Sequence, residues 1–383
     1  MKRFSIILFG ALAILVAGCS KHAQPEPEFE PWVNDLSLPV PIQFGTTGFE
    51  GTKAAPVDNV DALAGREIGV FGINRATDSD WSNTDNQLLV NEKATYNAST
   101  QLLDFETPQY YPPKSDLNYT FYGYYVRSLN TTTTPGTSSP QPTVADDAFY
   151  FPVTFGNTDY LWAKSVATTA YGTDGFNAKY IRLISKKNSY QTYMPKFNFK
   201  HVTAGVEIWA KGDDDGITNG AAGESDTDDM YSDIQVCSVV VVNAISKADF
   251  CIAHKTADVN EGKFFSASDR KDIKMTALTS AGKEVDDLTQ GVNSCKPTVA
   301  GTRLGNDLFL YPGENYQIDV YYTTAASQTP AKYTITTNIQ DYLKAGTKYK
   351  YTLVFHKTRA IEISVTLEEW NMSIQDELDT DPA

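Results

Sequence analysis

An all-β fold is predicted, because apolar residues recur at every second position, Tyr (22) and Phe (19) are abundant, and helical periodicity is weak throughout. Period-two alternation turns one face of a strand toward a core and the other toward water. The architecture expected from such segments is two β-sandwich domains in tandem, joined and bordered by long loops.

The first element is not a strand. Lys2 and Arg3 precede an apolar run over residues 4–17, followed by Gly18 and Cys19. This is the charged, apolar and small-residue order of a secretory signal peptide. The run is shorter than the ~20 residues that cross a bilayer. Leu15-Val16-Ala17-Gly18-Cys19 resembles the bacterial lipobox, in which the thiol receives a diacylglyceryl group. Cys19 is therefore the expected lipidation site, with residues 1–18 removed and the chain exported as an outer membrane lipoprotein. Residues 19–35, polar and carrying Pro25 and Pro27, read as a flexible tether.

Strands are expected at 68–73, 119–126, 197–209, 234–242, 316–322, 333–337 and 349–355. A last one carries Ile361, Ile363, Val365 and Leu367 in alternation with Glu362, Ser364 and Thr366. The best helical pattern, at 276–285, is weak. Residues 130–147 (Thr, Ser and Pro rich) and 211–230 (Gly and Asp rich) read as exposed loops. The second fails as an EF-hand: with Gly216 as the loop glycine, Lys211 and Ala222 take positions one and twelve. The tract before Lys196 divides two strand-rich halves, giving an N-terminal domain at 36–195 and a C-terminal domain at 196–383.

A chain of 383 residues has room for two cores, and 41% hydrophobic with 21% charged residues suits a body that folds in water. A formal charge of -15 argues against nucleic acid and against anionic headgroups, leaving the lipid as the membrane link. Besides Cys19 there are Cys237, Cys251 and Cys295; one pair could close a disulfide, or all could stay buried thiols. None has the histidine neighbours of a zinc site. Of four histidines, His201 and His356 sit within strand patterns and read as structural. No nucleophile elbow, metalloprotease helix or phosphate-binding loop occurs, so no enzyme, cofactor or metal is expected.

Several phrases occur in an order that resembles the fimbrillin-like proteins of anaerobic Gram-negative bacteria. They are Ile42-Gln43-Phe44-Gly45 with Thr52-Lys53-Ala54, and Gly65-Arg66-Glu67-Ile68-Gly69-Val70-Phe71-Gly72. Leu117-Asn118-Tyr119-Thr120-Phe121, Thr158-Asp159-Tyr160-Leu161-Trp162-Ala163 and Leu310-Tyr311-Pro312-Gly313 follow. The set closes with Ala345-Gly346-Thr347-Lys348-Tyr349 and Ile363-Ser364-Val365-Thr366-Leu367-Glu368-Glu369-Trp370. The resemblance implies two transthyretin-like Greek-key sandwiches in a lipoprotein subunit of a surface pilus. It also implies a trypsin-like surface protease that removes the first strand, and neighbouring pilin subunits that fill the groove by strand addition.

On this sequence, Pro41 to Phe44 would be the removable strand, with Ile42 and Phe44 pointing inward. Cleavage is expected after Lys53, leaving Ala54 as the new N-terminus, with Arg66 as runner-up. The segment Ile361 to Trp370 suits a donor strand, and suits the last strand of its own domain better. Two competing readings remain. One is a surface lipoprotein that binds a host or bacterial glycan or protein on Tyr110, Tyr111, Trp162 or Trp209; the other is a lipid-anchored hydrolase.

Overall fold

A computed structural model describes residues 30–49, 63–74, 81, 83–113, 117–128, 143–145, 148–165, 175–186, 194–212, 234–255, 260–336, 342–355 and 362–369. The chain runs α1 (Pro31–Asn34), β1 (Val40–Pro41), β2 (Phe44–Phe49), β3 (Glu67–Asn74), β4 (Gln87–Asn97), β5 (Leu102–Phe105), β6 (Tyr110–Tyr111) and β7 (Tyr119–Ser128). A hairpin of β8 (Thr143–Ala145) and β9 (Ala148–Thr154) follows, then β10 (Thr158–Ser165), α2 (Ala178–Ser185) and β11 (Lys196–His201). Next come β12 (Ala204–Gly212), β13 (Gln235–His254), β14 (Lys263–Lys274), β15 (Ala277–Leu278), β16 (Glu284–Val285) and β17 (Thr302–Leu310). The last strands are β18 (Gln317–Thr324), β19 (Ser327–Thr336), β20 (Thr347–Phe355) and β21 (Glu362–Glu369).

The all-β expectation holds. Seven strands in the order β10, β11, β2, β5, β4, β3, β7 form a sheet that closes when β7 pairs with β10. In the first unit the expected β-sandwich takes the form of a barrel, its sheet closed on itself. The physical reason is β2, which pairs with β5 on one side and β11 on the other and so leaves no edge. Its pairing with β11 is parallel, and a parallel neighbour needs a long crossover. Nearly the whole first half of the chain is that crossover.

The second unit is a sandwich. One sheet has the order β17, β12, β20, β21; the other runs β19, β18, β13, β9, β8, with β14 also on β13. Val206 and Ile208 of β12, Tyr351 and Leu353 of β20, Val239 and Val241 of β13, and Ile318 and Val320 of β18 share one core. The Tyr322 and Phe355 rings bridge the sheets, with centroids 5.7 Å apart at 76°.

The two units interleave along the sequence. β11, which opens the expected C-terminal half, closes the barrel, while β9 from the expected N-terminal half pairs with β13. Barrel side chains therefore pack on the second unit. Tyr124 meets Phe151 at 5.1 Å between ring centroids, Phe71 meets Phe149 at 5.2 Å, and Trp162 Nε1 donates to the Ile252 carbonyl at 2.9 Å. Gly262 passes under that indole at a φ of +66°, where an added Cβ would lie 2.7 Å from Trp162.

Most expected strands are present with extended ends. The segment at 197–209 splits into β11 and β12 around Val202 and Thr203, where the chain leaves the barrel for the sandwich. The weak helix at 276–285 is instead the hairpin β15–β16, with Ala277 opposite Val285. Gly282 turns it at a φ of +73°, which a helix cannot accommodate. Within the expected loop at 130–147, Thr143–Ala145 forms β8.

Candidate functional site, the groove filled by the first strand

The side chains of Val40, Ile42 and Phe44 are 0%, 3% and 0% exposed, while Pro41 and Gln43 between them are half-buried. The expected inward pair, Ile42 and Phe44, is thus observed on the expected period. Each such side chain, fully buried, stabilises the assembled barrel by about 1.5–3 kcal/mol.

Phe44 is the centre of the plug. It stacks on Phe197 of β11 (4.9 Å between centroids, 10°) and meets Phe121 of β7 edge-on (4.9 Å, 82°). Phe105 of β5 closes a third side at 5.8 Å. These edge-on geometries set the positive rim of one ring against the negative face of another.

The main chain supplies the rest. Phe44 lies opposite Leu103 and Gly45 opposite Leu102 on β5, whereas Gly45, Thr46, Gly48 and Phe49 all find register partners on β11. The Ile42 N–H donates to the Gln109 carbonyl at 2.8 Å, and the Gly45 N–H to the Pro195 carbonyl at 3.0 Å. Upstream, Val40 and Pro41 form the two-residue ladder of β1 against Tyr111 and Tyr110. The inserted segment is therefore longer than Pro41 to Phe44 and runs from Val40 to Phe49, broken only at Ile42 and Gln43.

Ahead of the strand, α1 packs on α2. The N-cap of α2 is Asn177, whose side chain accepts from the Tyr180 N–H at 2.8 Å. Ala178 and Ile181 face the barrel core, and Arg182 turns toward the N-terminal segment. Neither the helix nor Arg182 was anticipated from sequence. Residues 178–185 are too few to separate helix from strand by pattern at a first reading, although the Asn177 cap and the helical spacing of Ala178, Ile181 and Ser185 on one buried face both mark a helix.

The other expected positions fall as follows. Cys19, Lys53, Ala54 and Ile361 lie outside the described residues. Arg66 is exposed in the turn before β3; its N–H bonds the Leu63 carbonyl at 2.8 Å, and its carbonyl accepts from the Tyr96 N–H. Ile363, Val365 and Leu367 lie in β21, opposite Leu353, Tyr351 and Tyr349 of β20. The segment is thus seated as the edge strand of its own sandwich.

The aromatic platform is not assembled as expected: Tyr111 and Trp162 are 1% and 7% exposed and belong to cores, Tyr110 is exposed, and Trp209 is half-buried under Lys350. Cys237, Cys251 and Cys295 are free thiols. His201 is buried, its Nδ1 2.7 Å from Asp159 Oδ2, and Thr203 donates to the other oxygen of that carboxylate at 2.8 Å. Among the described residues no group of three His, Cys, Asp or Glu is placed to hold a metal ion. No helix among them is long and apolar enough to cross a membrane.

Comparison with known proteins gives one family. Residues 52–370 match the model of the fimbrillin-like family. No curated protein matches at a significant level. Among solved structures, a proposed cell adhesion protein from Bacteroides uniformis is 18% identical, with 87% of this chain and 99% of that one covered and a TM-score of 0.48. The fimbrial anchor protein Mfa2 from Porphyromonas gingivalis is 8% identical, with 88% and 99% covered and a TM-score of 0.31. Since the family match takes in most of the sequence, the chain belongs to the fimbrillin-like family.

Proposed function

We propose that the chain is a cell-surface pilus subunit or fimbrial adhesin, exported as a lipoprotein on Cys19 and activated by loss of its first strand. The observation that carries this reading is the insertion of β2 (Phe44–Phe49) between β5 and β11, preceded by the pairing of β1 with β6, with Phe44 fully buried in the barrel. Removing that segment would uncover Phe197, Phe121 and Leu103 and leave two strands without their shared neighbour. Such a groove is filled by an extended peptide, whose main chain gives affinity while alternate side chains enter pockets. A strand from a neighbouring subunit is the natural occupant.

In this reading a trypsin-like protease hydrolyses the bond after Lys53. Cleavage there severs both the lipid and the strand from the rest of the chain, because Cys19 and Val40–Phe49 lie on the same side of the cut. Arg66 is a poorer site, since its carbonyl is engaged by Tyr96 and β3 begins at the next residue. β21, paired along its length with β20, serves the subunit's own sandwich in this scheme. The test is limited trypsin treatment of the purified precursor, with N-terminal sequencing and gel analysis. A new terminus at Ala54 followed by a ladder of oligomers is expected; a chain cut there that stays monomeric at high concentration refutes strand exchange.

A further inference from the structure

The segment that leads into the groove has little ladder of its own. Residues 30–39 contain one helical turn and no strand; Val33 is buried and Trp32 packs on the barrel core, and the polar tie to the body comes from one side chain of α2. Arg182 is 4% exposed, and its two terminal nitrogens donate to three main-chain oxygens of this segment: those of Trp32, Asp35 (2.7 Å) and Leu38. The acceptors are spaced three residues apart, through the end of α1 and the turn after it. Carbonyls at a helix end lack intrahelical partners, and a cation there is favoured by the helix dipole. A guanidinium fork meets several such oxygens at once; an ammonium, a compact point charge, does not.

The compensation is one-sided. Among the described residues Arg182 has no carboxylate within ion-pair distance, and the Asp35 charge that favours its charged form belongs to the same segment as the carbonyls, so the buried cation is compensated from a single stretch of peptide. That segment is the one the proposed function removes. A cut after Lys53 leaves every one of these contacts in place, because all lie upstream of it.

We infer that Arg182 is a positioning residue that latches the N-terminal segment to α2, so that peptide cleavage and strand release are separate steps. The inference rests on the strand-removal reading for its biological use, and on the geometry alone for the latch. After a cut, the fragment stays seated by its carbonyls until another strand displaces it. The cleaved subunit is thereby spared an empty apolar groove before a second copy arrives.

The experiment uses the full chain as Arg182→Met and Arg182→Lys variants, followed by hydrogen exchange and mass spectrometry. Residues 31–43 should exchange at least tenfold faster in Arg182→Met, with β13 unchanged and Arg182→Lys between the two. Unchanged exchange in 31–43, or equal loosening of β13, overturns the latch. A second arm treats the same proteins with trypsin and follows co-elution of the N-terminal fragment on size exclusion. The wild-type fragment should remain bound, and that of Arg182→Met should leave at least tenfold faster; equal rates overturn the proposal. If trypsin never cuts near Lys53, the strand-removal reading fails, while the exchange arm still decides the latch.

Discussion

Phe44→Ala tests the groove most directly. The ring is fully buried and touches Phe197, Phe121 and Phe105, so truncation leaves a cavity walled by aromatic side chains that cannot all collapse inward. A Phe to Ala change in such a core costs about 3–5 kcal/mol. Against a net stability of about 5–15 kcal/mol for a domain, that is a large share of what holds the barrel closed. With a urea dependence of about 1–3 kcal/mol per molar, the midpoint should fall by roughly 1–5 M. The assay is urea unfolding followed by far-UV circular dichroism, with Phe44→Leu, which keeps a branched apolar side chain but loses three carbons, as the milder control, expected to cost less than Phe44→Ala. Because Phe44 belongs to the barrel core and not to the sandwich core, only the barrel transition should move if the two melt separately. A midpoint shift below about 0.3 M, or equal losses for Ala and Leu, would show that Phe44 is not the plug.

Gly262→Ala should be costly for a residue in a turn. It forces a side chain onto a φ of +66° and a Cβ to 2.7 Å from the Trp162 indole, for a combined loss of about 2–5 kcal/mol read from thermal unfolding. Alkaline pH should destabilise the fold. Burial, with the Glu261 charge second, pushes the Cys251 thiol up to about 12, and burial likewise pushes the Tyr160 phenol up to about 12. Both groups hold their protons longer in the folded than in the unfolded chain. Their contribution is therefore full below pH 9 and is lost as pH rises toward 12. Urea midpoints measured from pH 8 to 11 should fall steadily above 9, with a shallower fall in Cys251→Ala; a flat profile contradicts the assignment.

The strands were legible because their partners share one chemical rule, apolar inside and polar outside at period two. The family resemblance placed a first strand at Pro41 to Phe44, and the same rule then turned Ile42 and Phe44 inward. It could not find closure of the barrel, since the parallel pairing of Phe44–Phe49 with Lys196–Phe199 joins segments about 150 residues apart and leaves no local mark. Nor could it find Lys348, which the alternation Lys348, Lys350, Thr352 assigns to water. Its ammonium is 2% exposed, 2.6 Å from Glu207 and 3.4 Å from Asp307. Burial works against the charge on Glu207, yet hydrogen bonds from Lys348 and Trp209, with the Lys348 and Arg303 charges, hold its carboxyl below its usual range. Those partners come from β12, β17 and β20, and only tertiary pairing brings them together. The aromatic platform failed for a related reason. Tyr111 and Trp162 look like surface candidates one by one; Tyr111 becomes core beside Phe121 once β6 pairs with β1, and Trp162 once the barrel rests on β13.

The N-terminal segment is held by three kinds of contact that differ in where they act. Arg182 grips its upstream end at 32–38, the aromatic pocket holds its middle at Ile42 and Phe44, and the ladder to β11 secures its downstream end as far as Phe49. In the proposed scheme a cut after Lys53 would create a free end next to the ladder and far from the latch. Opening would then begin at Phe49, where main-chain bonds to β11 could be exchanged one at a time for those of an incoming strand. Phe44 would leave its pocket next, when the replacement had already covered Phe199 and approached Phe197. The carbonyls on Arg182 would go last, and with them the fragment. A strand inserted in this order would never expose the whole aromatic core to water at once, which is the hazard an open barrel of this composition would otherwise face.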